Sequence, residues 1–378
     1  MDDVVICGGG PAGAMAALLL ARSGARVRVF EREVFPRQKL CGDTLNPGAL
    51  ALLASHLDTT ALIEQSDPID GMLLTGPDGV RVEGRYGPGV TGRAITRSVL
   101  DHWLLAKAAE AGAQIEEGVT VRQVTASGDV VDGLVVRTHS GREVSHRAGI
   151  VVVADGRRST LAFARRLARQ PARPRRWAIG AYFTDVTGLT TLGEMHVRRG
   201  HYIGVARVPG GLTNVCLVVP HGPGDVPIGS PIQLLMDRLH ADHDLRSRFA
   251  HARAVGAAVM LGPMAVDSGV AGETGLLLAG DAAGFIDPMT GDGLRLALAG
   301  AQLAARVAGD VLAGRTALGH AHHDLMARRR RAFQNKWRFN RSLRALVALP
   351  DGVGLGAWVA RATPSIVHHV IRYAGDCP

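Results

Sequence analysis

The sequence contains no long uninterrupted apolar run, which is the pattern that a membrane-spanning helix needs. A bilayer requires roughly 18–20 consecutive apolar residues. The run 14–21 is short, and the stretch 343–360 is interrupted by Arg344, Pro350 and Asp351. The chain also opens on an apolar, strand-like segment rather than on a charged-then-apolar leader with a cleavage site. We therefore expect a cytoplasmic protein that is at most peripheral to a membrane.

Cysteine and aromatic residues are both scarce. The spacing of the four cysteines contains no CxxC motif and no disulfide framework, which predicts reduced thiols at Cys7, Cys41, Cys216 and Cys377. Aromatic residues make up 4% of the chain, and no aromatic-interleaved stacking surface accompanies its basic clusters. The histidines at 320, 322 and 323 adjoin a basic helix and are expected to face solvent. We therefore predict no metal site and no nucleic-acid partner.

The order of apolar segments predicts an α/β fold. A chain of 378 residues, 47% of them hydrophobic, can bury a large core, and we expect it to fold as two domains. The predicted elements are strand 3–7, helix 11–23, strand 26–30, helix 97–112, strand 149–154, strand 275–279, helix 293–312 and a basic helix 320–349, and the strands 3–7, 149–154 and 275–279 are expected to be buried. The segments at 73–86 and 114–140 are predicted as strands joined by Asp-Gly and Gly-Asp turns, and the turn-rich, strand-like segment at 177–219 is expected to form a separate sheet that covers a substrate.

The N-terminal glycines have the spacing of a dinucleotide-binding loop. Gly8, Gly10 and Gly13 match GxGxxG between a predicted strand and a predicted helix, where a pyrophosphate can approach bare backbone and the helix N-terminus. Glu31 ends the second strand, where a carboxylate can accept hydrogen bonds from the adenosine ribose. These features predict a bound dinucleotide without choosing between NAD and FAD.

A second motif, LLAGDAAGFIDPMTGDGL at 277–294, favours FAD. A buried strand leads into Gly280 and Asp281, and the turn 291–293 opens a helix. We expect Asp281 to hold a ribityl hydroxyl. The helix N-terminus would point its positive dipole at the pyrimidine end of the flavin, where it stabilises the charge of the reduced ring.

A third motif, Asp155-Gly156, follows the buried strand 149–154. With GxGxxG before it and Gly280-Asp281 after it, the chain resembles the FAD-dependent superfamily of aromatic hydroxylases, flavin halogenases and geranylgeranyl reductases. The resemblance spans most of residues 1–312. It implies non-covalent FAD near all three motifs and NAD(P)H as the reductant, and it matches Arg97 to a flavin-contacting arginine.

A finer resemblance lies in PRQKLCGD at 36–43. It is similar to a K-x-C-G-D segment of geranylgeranyl-reductase-like proteins, and this implies that Cys41 lies beside the flavin. A buried structural thiol is the alternative for Cys41. Prenyl reductases also carry an aromatic Y-x-W-x-F-P signature, of which the equivalent segment 202–206 keeps only Tyr202.

The motifs and the resemblance together define the predicted site. The residues expected to bind FAD are Gly8, Gly10, Pro11, Ala12, Gly13, Ala14, Glu31, Arg32, Arg37, Lys39, Leu40, Cys41, Arg97, Val121, Asp155, Gly156, Gly280, Asp281, Pro288, Gly291, Asp292, Gly293 and Leu294. The candidate catalytic residues are Cys41, Tyr202 and Asp292.

The predicted fold class is α/β, with a Rossmann-like FAD-binding domain, a mainly β substrate domain and a helical C-terminal tail. The predicted FAD-binding domain is discontinuous, at 1–72, 93–170 and 262–318. The predicted substrate domain comprises 73–92 and 171–261, and the tail comprises 319–378.

Two activities are compatible with these motifs. The main hypothesis is an NAD(P)H-dependent monooxygenase that hydroxylates a hydrophobic aromatic, polyketide or lipid-like substrate. The alternative is a reductase that adds hydride and a proton to a carbon–carbon double bond of an isoprenoid or other unsaturated lipid, which PRQKLCGD favours. A non-catalytic flavoprotein is a further alternative. A tryptophan-halogenase activity is disfavoured because all four tryptophans are isolated in sequence.

The net charge of +9 is concentrated in two segments without acidic residues, 157–176 and 328–344, which hold eight basic residues each. Both are expected to form solvated faces. In the second segment the arginines alternate with Trp337, Phe339 and Leu343, a pattern compatible with an amphipathic surface helix. It either contacts a membrane or an acyl-carrier protein that delivers the substrate, or packs on the flavin domain with its arginines outward.

Overall fold

The computed structural model describes residues 1–77, 79–171, 176–221, 228–285, 289, 291–348 and 364–377. The strands in these ranges are β1 (Asp2–Cys7), β2 (Val27–Phe30), β3 (Thr44–Leu45), β4 (Asp67–Ile69), β5 (Gly71–Thr75), β6 (Arg81–Arg85), β7 (Gly92–Ala94), β8 (Gln114–Glu116), β9 (Thr120–Ser127), β10 (Val130–Arg137), β11 (Glu143–Val153), β12 (Arg176–Thr184), β13 (Leu192–Arg198), β14 (His201–Val208), β15 (Leu212–Pro220), β16 (Arg253–Leu261), β17 (Gly272–Glu273) and β18 (Leu276–Leu278). The helices are α1 (Pro11–Arg22), α2 (Pro47–Ala54), α3 (Thr60–Glu64), α4 (Arg97–Glu110), α5 (Thr160–Ala164), α6 (Pro231–Ala241), α7 (Gly293–Leu312), α8 (Ala321–Ala348) and α9 (Pro364–Ala374).

The first sheet has the order β17-β18-β11-β1-β2-β8. The five strands from β18 to β8 run parallel, β17 pairs antiparallel with β18, and β9 and β10 extend the sheet as an antiparallel hairpin on β11. The residues of β1 from Val4 to Cys7 are buried because layers cover both faces of the sheet. This sheet brings the loops after β1, β11 and β18 to one edge, since the carboxyl ends of parallel strands meet there.

Helices α1, α4 and α7 cover one face of this sheet. Proline at the first position of α1 and a run of small residues allow α1 to pack closely between α4 and α7. Ala14, Ala16 and Ala17 are fully buried in that interface. The N-terminus of α1 is thereby fixed at the edge of the sheet where the glycine-rich loop lies.

The second sheet has the order β16-β12-β15-β14-β13-β5-β6 and is antiparallel except between β13 and β5. Its strands alternate between two faces. On the outer face, Leu235 and Leu239 of α6 pack with Phe249 onto the sheet. On the inner face, Ala178, Tyr202 and neighbouring apolar residues pack against Leu40 and Phe285, which belong to the loops of the first sheet. The two sheets therefore face each other across those loops.

The C-terminal helices complete the fold. Helix α8 packs on α7, and its buried residues recur at helical spacing: Ala321, Leu325, Arg329, Phe333, Lys336 and Asn340. Helix α9 packs on β6, where Ile371 lies against Gly84. The expectation of a solvated basic face is wrong for Arg329 and Lys336, because carbonyl oxygens from other elements accept their hydrogen bonds inside the protein.

The predicted fold class is confirmed: the chain has a Rossmann-like mixed sheet, a largely antiparallel second sheet and C-terminal helices. Among the described residues, none of the helices is both long and apolar enough to span a bilayer. The domain boundaries given above stay a prediction.

Candidate functional site

The glycine-rich loop after β1 is shaped by close backbone contacts. Gly8 has a φ of +99°, and a Cβ on it would lie 2.7 Å from the carbonyl oxygen of Ala154. A Cβ on Gly13 would lie 1.8 Å from the carbonyl oxygen of Gly8. Gly10 differs, because its Cβ would meet only the Arg37 side chain, at 3.4 Å. The first and third glycines thus close the turn, and the second leaves open backbone facing the cavity described below.

The carboxylate of Glu31, at the end of β2, lies under this loop. It accepts hydrogen bonds from the backbone N–H of Gly9 at 2.7 Å and of Glu33 at 3.0 Å. Its side chain is buried, whereas the adjacent Arg32 is exposed. Glu31 therefore holds the loop in place as well as occupying the position predicted to bind ribose.

Asp155 and Gly156 follow β11 at the same edge. Asp155 Oδ1 is buried and has no hydrogen-bond partner among the described residues. Burial raises the pKa of Asp155 to about 6. Gly156, with a φ of +84°, lies on the cavity wall close to Lys39. A buried acceptor without a partner beside a bare glycine fits a polar group of a bound cofactor.

The Gly280-Asp281 motif starts a short 3₁₀ helix, Gly280–Ala283, directly after β18. A Cβ on Gly280 would lie 2.7 Å from the Cβ of Ala12, so the motif packs on the start of α1. Asp281 lines the cavity and its charge acts on two cavity cations, Lys39 and Arg157. This arrangement brings the first and second motifs into one site.

The N-terminus of α7 reaches the same cavity through Gly291, Gly293 and Leu294. Asp292 is buried, and its Oδ2 accepts a hydrogen bond from Asn340 Nδ2 at 3.0 Å. Pro288 lies outside the described residues.

Three charged side chains, those of Arg97, Asp101 and Arg37, form a largely buried ion cluster next to the cavity. Arg97 donates to Asp101 through Nε at 2.6 Å and Nη2 at 2.7 Å, and Arg37 Nη1 lies 3.1 Å from the same carboxylate. Burial acts to lower the pKa of Arg97, but the charge and hydrogen bonds of Asp101, together with those of Cys41, outweigh burial and raise this pKa. Arg97 therefore presents a permanent positive charge to the cavity. The sequence motif identified Arg97, but it gave no signal for Asp101.

The loop between Lys39 and Asp43 is held against the second sheet. Asn214 Nδ2 on β15 donates to the carbonyl oxygen of Cys41 at 3.0 Å and to Asp43 Oδ2 at 2.8 Å. The hydroxyl of Tyr182 on β12 donates to the same carboxylate. The Leu40 side chain fills the space beside Gly180, where a Cβ would lie 1.8 Å from Leu40 Cδ1. These contacts fix Cys41 between the two sheets.

The protonation of this loop is set mainly by burial. Burial raises the pKa of the Asp43 carboxyl to about 7, and that of the Cys41 thiol above its ordinary value. Burial also lowers the pKa of Lys39 to about 8. The Cys41 thiol therefore keeps its proton at neutral pH.

One cavity joins these elements. Its wall includes the following predicted residues: Gly10, Pro11, Ala12, Lys39, Leu40, Cys41, Arg97, Gly156, Tyr202, Gly280, Asp281, Gly291, Gly293 and Leu294. The other described predicted residues do not line the cavity: Gly8, Gly13, Ala14, Glu31, Arg32, Arg37, Val121, Asp155 and Asp292. Val121 packs with the apolar core beneath β9 and β10.

The far side of the cavity is apolar and comes from elements that the motifs did not identify. The inner face of the second sheet supplies Met195 and Val218, and Met264 follows that sheet. Ile371 and Ala374 of α9 close the end of the cavity. The alternating pattern of the strands predicted a covering sheet, but no local signal indicated α9, because its contact with β6 joins distant parts of the chain.

The polar groups in and around the cavity fit FAD. The open backbone of Gly10 and the carboxylate of Asp281 lie along one cavity with the N-termini of α1 and α7, and the unpartnered oxygen of Asp155 belongs to the residue between Ala154 and Gly156 of the cavity wall. Helix N-termini favour the pyrophosphate and the reduced ring, both of which are anionic.

Comparison with known proteins agrees with this geometry. The family model described as "FAD binding domain" matches residues 1–337. Menaquinone reductase of Mycolicibacterium smegmatis is 33% identical over 81% of this chain and 76% of its own length. Digeranylgeranylglycerophospholipid reductase 2 of Methanopyrus kandleri is 30% identical over 82% of this chain and 77% of its own length.

The solved structure of a flavin-dependent brominase matches with a TM-score of 0.85 and 21% identity, covering 100% of this chain and 94% of that one. At that identity the match shows the fold alone. The chain spans 62–80% of the length of the curated relatives that match about four fifths of it. The chain belongs to the FAD-binding-domain family and is an FAD-dependent oxidoreductase.

Proposed function

We propose that this protein reduces a carbon–carbon double bond in an apolar, isoprenoid-type substrate, with non-covalent FAD as its cofactor and NAD(P)H as its electron donor. The observation that carries the proposal is the cavity itself. It runs without interruption from the flavin motifs to an apolar wall on the second sheet, with Cys41 between the two. A substrate on that wall would lie next to the flavin.

The relatives favour this proposal over the monooxygenase. The two curated relatives described above, each at least 30% identical over most of this chain, are named as reductases of a quinone and of a prenylated lipid. Both names describe isoprenoid compounds. The PRQKLCGD segment points in the same direction, since it resembles the reductase branch of the superfamily.

The residues of this chain have a defined part in holding the cofactor. The backbone of Gly10 and the N-terminus of α1 would bind the pyrophosphate, and Asp281 the ribityl chain. Arg97 would present its charge to the ring. When bound and reduced, FAD supplies the hydride that the double bond receives.

Reduction of a double bond also needs one proton on the second carbon. Cys41 Sγ lies on the cavity wall and holds a proton at neutral pH, because burial raises its pKa. Its position is fixed, since Asn214 holds the carbonyl oxygen of Cys41 at 3.0 Å. We therefore assign Cys41 Sγ as the group that delivers this proton.

The apolar wall binds the substrate and excludes water. Met195, Val218 and Met264 offer contact surface that an unsaturated hydrocarbon can bury. Methionine side chains are flexible and adapt to irregular chains. Exclusion of water protects the reduced cofactor from side reactions.

The test compares the products formed with and without oxygen. The purified holoenzyme is incubated with NADPH or NADH and with geranylgeraniol or a prenylated naphthoquinone, and the products are measured by mass spectrometry. We expect a product heavier by two hydrogen atoms, formed under strictly anaerobic conditions and still heavier by two hydrogen atoms after any hydroquinone has been reoxidised in air. A product that appears only with oxygen, and that is heavier by one oxygen atom, would establish the monooxygenase instead.

A further inference from the structure

The inner face of β14 places three residues in a row along the cavity. Tyr202, Gly204 and Ala206 alternate with residues of the outer face, so all three point the same way. Along this row, a large aromatic ring is followed by a residue without a side chain and then by a residue with a single methyl group. Because Gly204 and Ala206 are small, they leave the backbone of β14 open to the cavity.

Other glycines on this inner face have their space filled by the protein. A Cβ on Gly180 would lie 1.8 Å from Leu40, one on Gly84 would lie 2.2 Å from Ile371, and one on Gly193 would lie 2.9 Å from Met72. At these positions a side chain from elsewhere in the protein already occupies the space that a Cβ would take.

Gly204 is different. A Cβ there would have its nearest neighbours among the described atoms at 3.9 Å, the carbonyl oxygens of Cys216 and Glu194. Its φ lies outside the left-handed region, so the backbone does not require glycine either. A glycine inside a strand normally weakens it, and one without a steric or conformational reason marks a place where a ligand approaches the backbone.

We propose that Gly204 and Ala206 form a recess that accepts a flat ring of the substrate, so that the preferred substrate is a ring-bearing isoprenoid such as a prenylated quinone rather than a purely linear prenyl chain. The inference rests on the proposed function. A slender chain would leave the recess partly empty and lose contacts, whereas a ring can lie on the bare peptide of Gly204. Tyr202 and Met195 flank the recess with an aromatic ring and a thioether.

The experiment measures binding to the oxidised holoenzyme through the change in flavin absorbance. Two probes are titrated: a naphthoquinone with one prenyl unit, and geranylgeraniol, which has no ring. We expect Gly204→Phe to weaken binding of the ring-bearing probe by at least about tenfold and that of geranylgeraniol by less than about threefold. Gly309→Phe is the matched control, because this glycine of α7 has open space around it and does not line the cavity, and it should change neither affinity by more than about twofold.

FAD content and melting temperature are recorded for each variant, so that a folding defect is seen directly. An equal loss of both probes in Gly204→Phe, or unchanged affinity for the ring-bearing probe, would overturn the recess while leaving the proposed reductase intact. If the wild-type holoenzyme binds neither probe and reduces neither, the proposed function fails and the recess fails with it.

Discussion

Asn214 Nδ2 donates to Asp43 Oδ2 at 2.8 Å, across 171 residues of sequence and between the two sheets. The carboxyl of Asp43 is fully buried, and its backbone has a φ of +52°. The same amide of Asn214 holds the carbonyl oxygen of Cys41. One polar contact therefore links the second sheet to the loop that carries the proposed proton donor.

The first prediction concerns the stability of this contact as pH changes. The folded pKa of Asp43, about 7, lies above its ordinary value of 3.8. Its contribution to stability is therefore fully present below about pH 4 and is lost as pH rises to about 7. Asp43→Asn removes this dependence, and asparagine tolerates a positive φ. Between pH 5 and pH 8, the unfolding free energy measured in urea should fall by roughly 1–3 kcal/mol more in the wild type than in the variant. Equal losses of unfolding free energy in the wild type and in Asp43→Asn would contradict the raised pKa of Asp43.

The second prediction concerns the buried ion cluster. Asp101→Leu leaves Arg97 buried without its carboxylate partner, which should cost about 3–5 kcal/mol of unfolding free energy and release FAD. The control lies on the same helix: Glu110→Gln breaks an exposed pair with Lys107, and it should cost less than about 1 kcal/mol. Chemical denaturation measures both. Similar costs for the two variants would show that the buried cluster does not hold α4 and the cavity together.

The third prediction concerns the phosphate loop. Gly10→Val adds a side chain over open backbone, where the Arg37 side chain at 3.4 Å is the nearest group to its Cβ. The apoprotein should fold with little change in melting temperature, but FAD affinity should fall by at least about tenfold. Fluorescence titration of the apoprotein with FAD measures this. Gly309→Ala, a glycine of α7 with open space around it, is the control and should keep wild-type affinity.

The fourth prediction concerns proton delivery. Cys41→Ala should lower kcat by about 10²–10⁴, the usual contribution of a general acid, with little change in KM or FAD content. Cys216→Ala removes the other thiol of the cavity wall and should retain most activity. Steady-state kinetics on an accepted double-bond substrate separates the two. Equal kcat values for both variants would exclude Cys41 as the donor.

The fifth prediction concerns delivery of the substrate. Four arginines of α8 stay exposed, namely Arg330, Arg331, Arg338 and Arg341. We propose that they bring the protein to an anionic membrane surface, where isoprenoid lipids reside. Co-sedimentation with vesicles containing anionic lipid should be strong at low salt and weak at high salt, and replacement of the four by glutamine should abolish it. If the protein binds the vesicles at neither salt concentration, α8 does not bring it to a membrane.

The features that could be predicted from the sequence are those that neighbouring residues determine. The glycine spacing at Gly8–Gly13 placed a turn that the observed backbone contacts require. The predicted helix 293–312 coincides with α7. Both were predictable because a strand, a tight turn and a helix follow one another along the chain, so neighbouring residues determine the geometry.

The rest of the site depends on contacts between distant segments. Tyr182 and Asn214 meet Asp43 only because β12 and β15 are neighbours in the second sheet, and their sequence spacing carries no sign of this. The buried Lys336 shows the same limit. Its charge predicted a solvent-exposed side chain, but the carbonyl oxygens of Tyr373 and Ala374 accept its hydrogen bonds at 2.6 and 3.0 Å.

The position of α9 has a consequence for how the protein acquires its cofactor. The cavity wall includes the glycine-rich loop at residue 10 and also Ala374 and Gly375, which lie far from that loop in sequence. Lys336 binds α9 and the residues after it to the body of the protein. During synthesis, the cavity stays open on that side until α9 has left the ribosome and docked. A chain that stops before α9 would therefore have the phosphate-binding loop without an enclosed cofactor site.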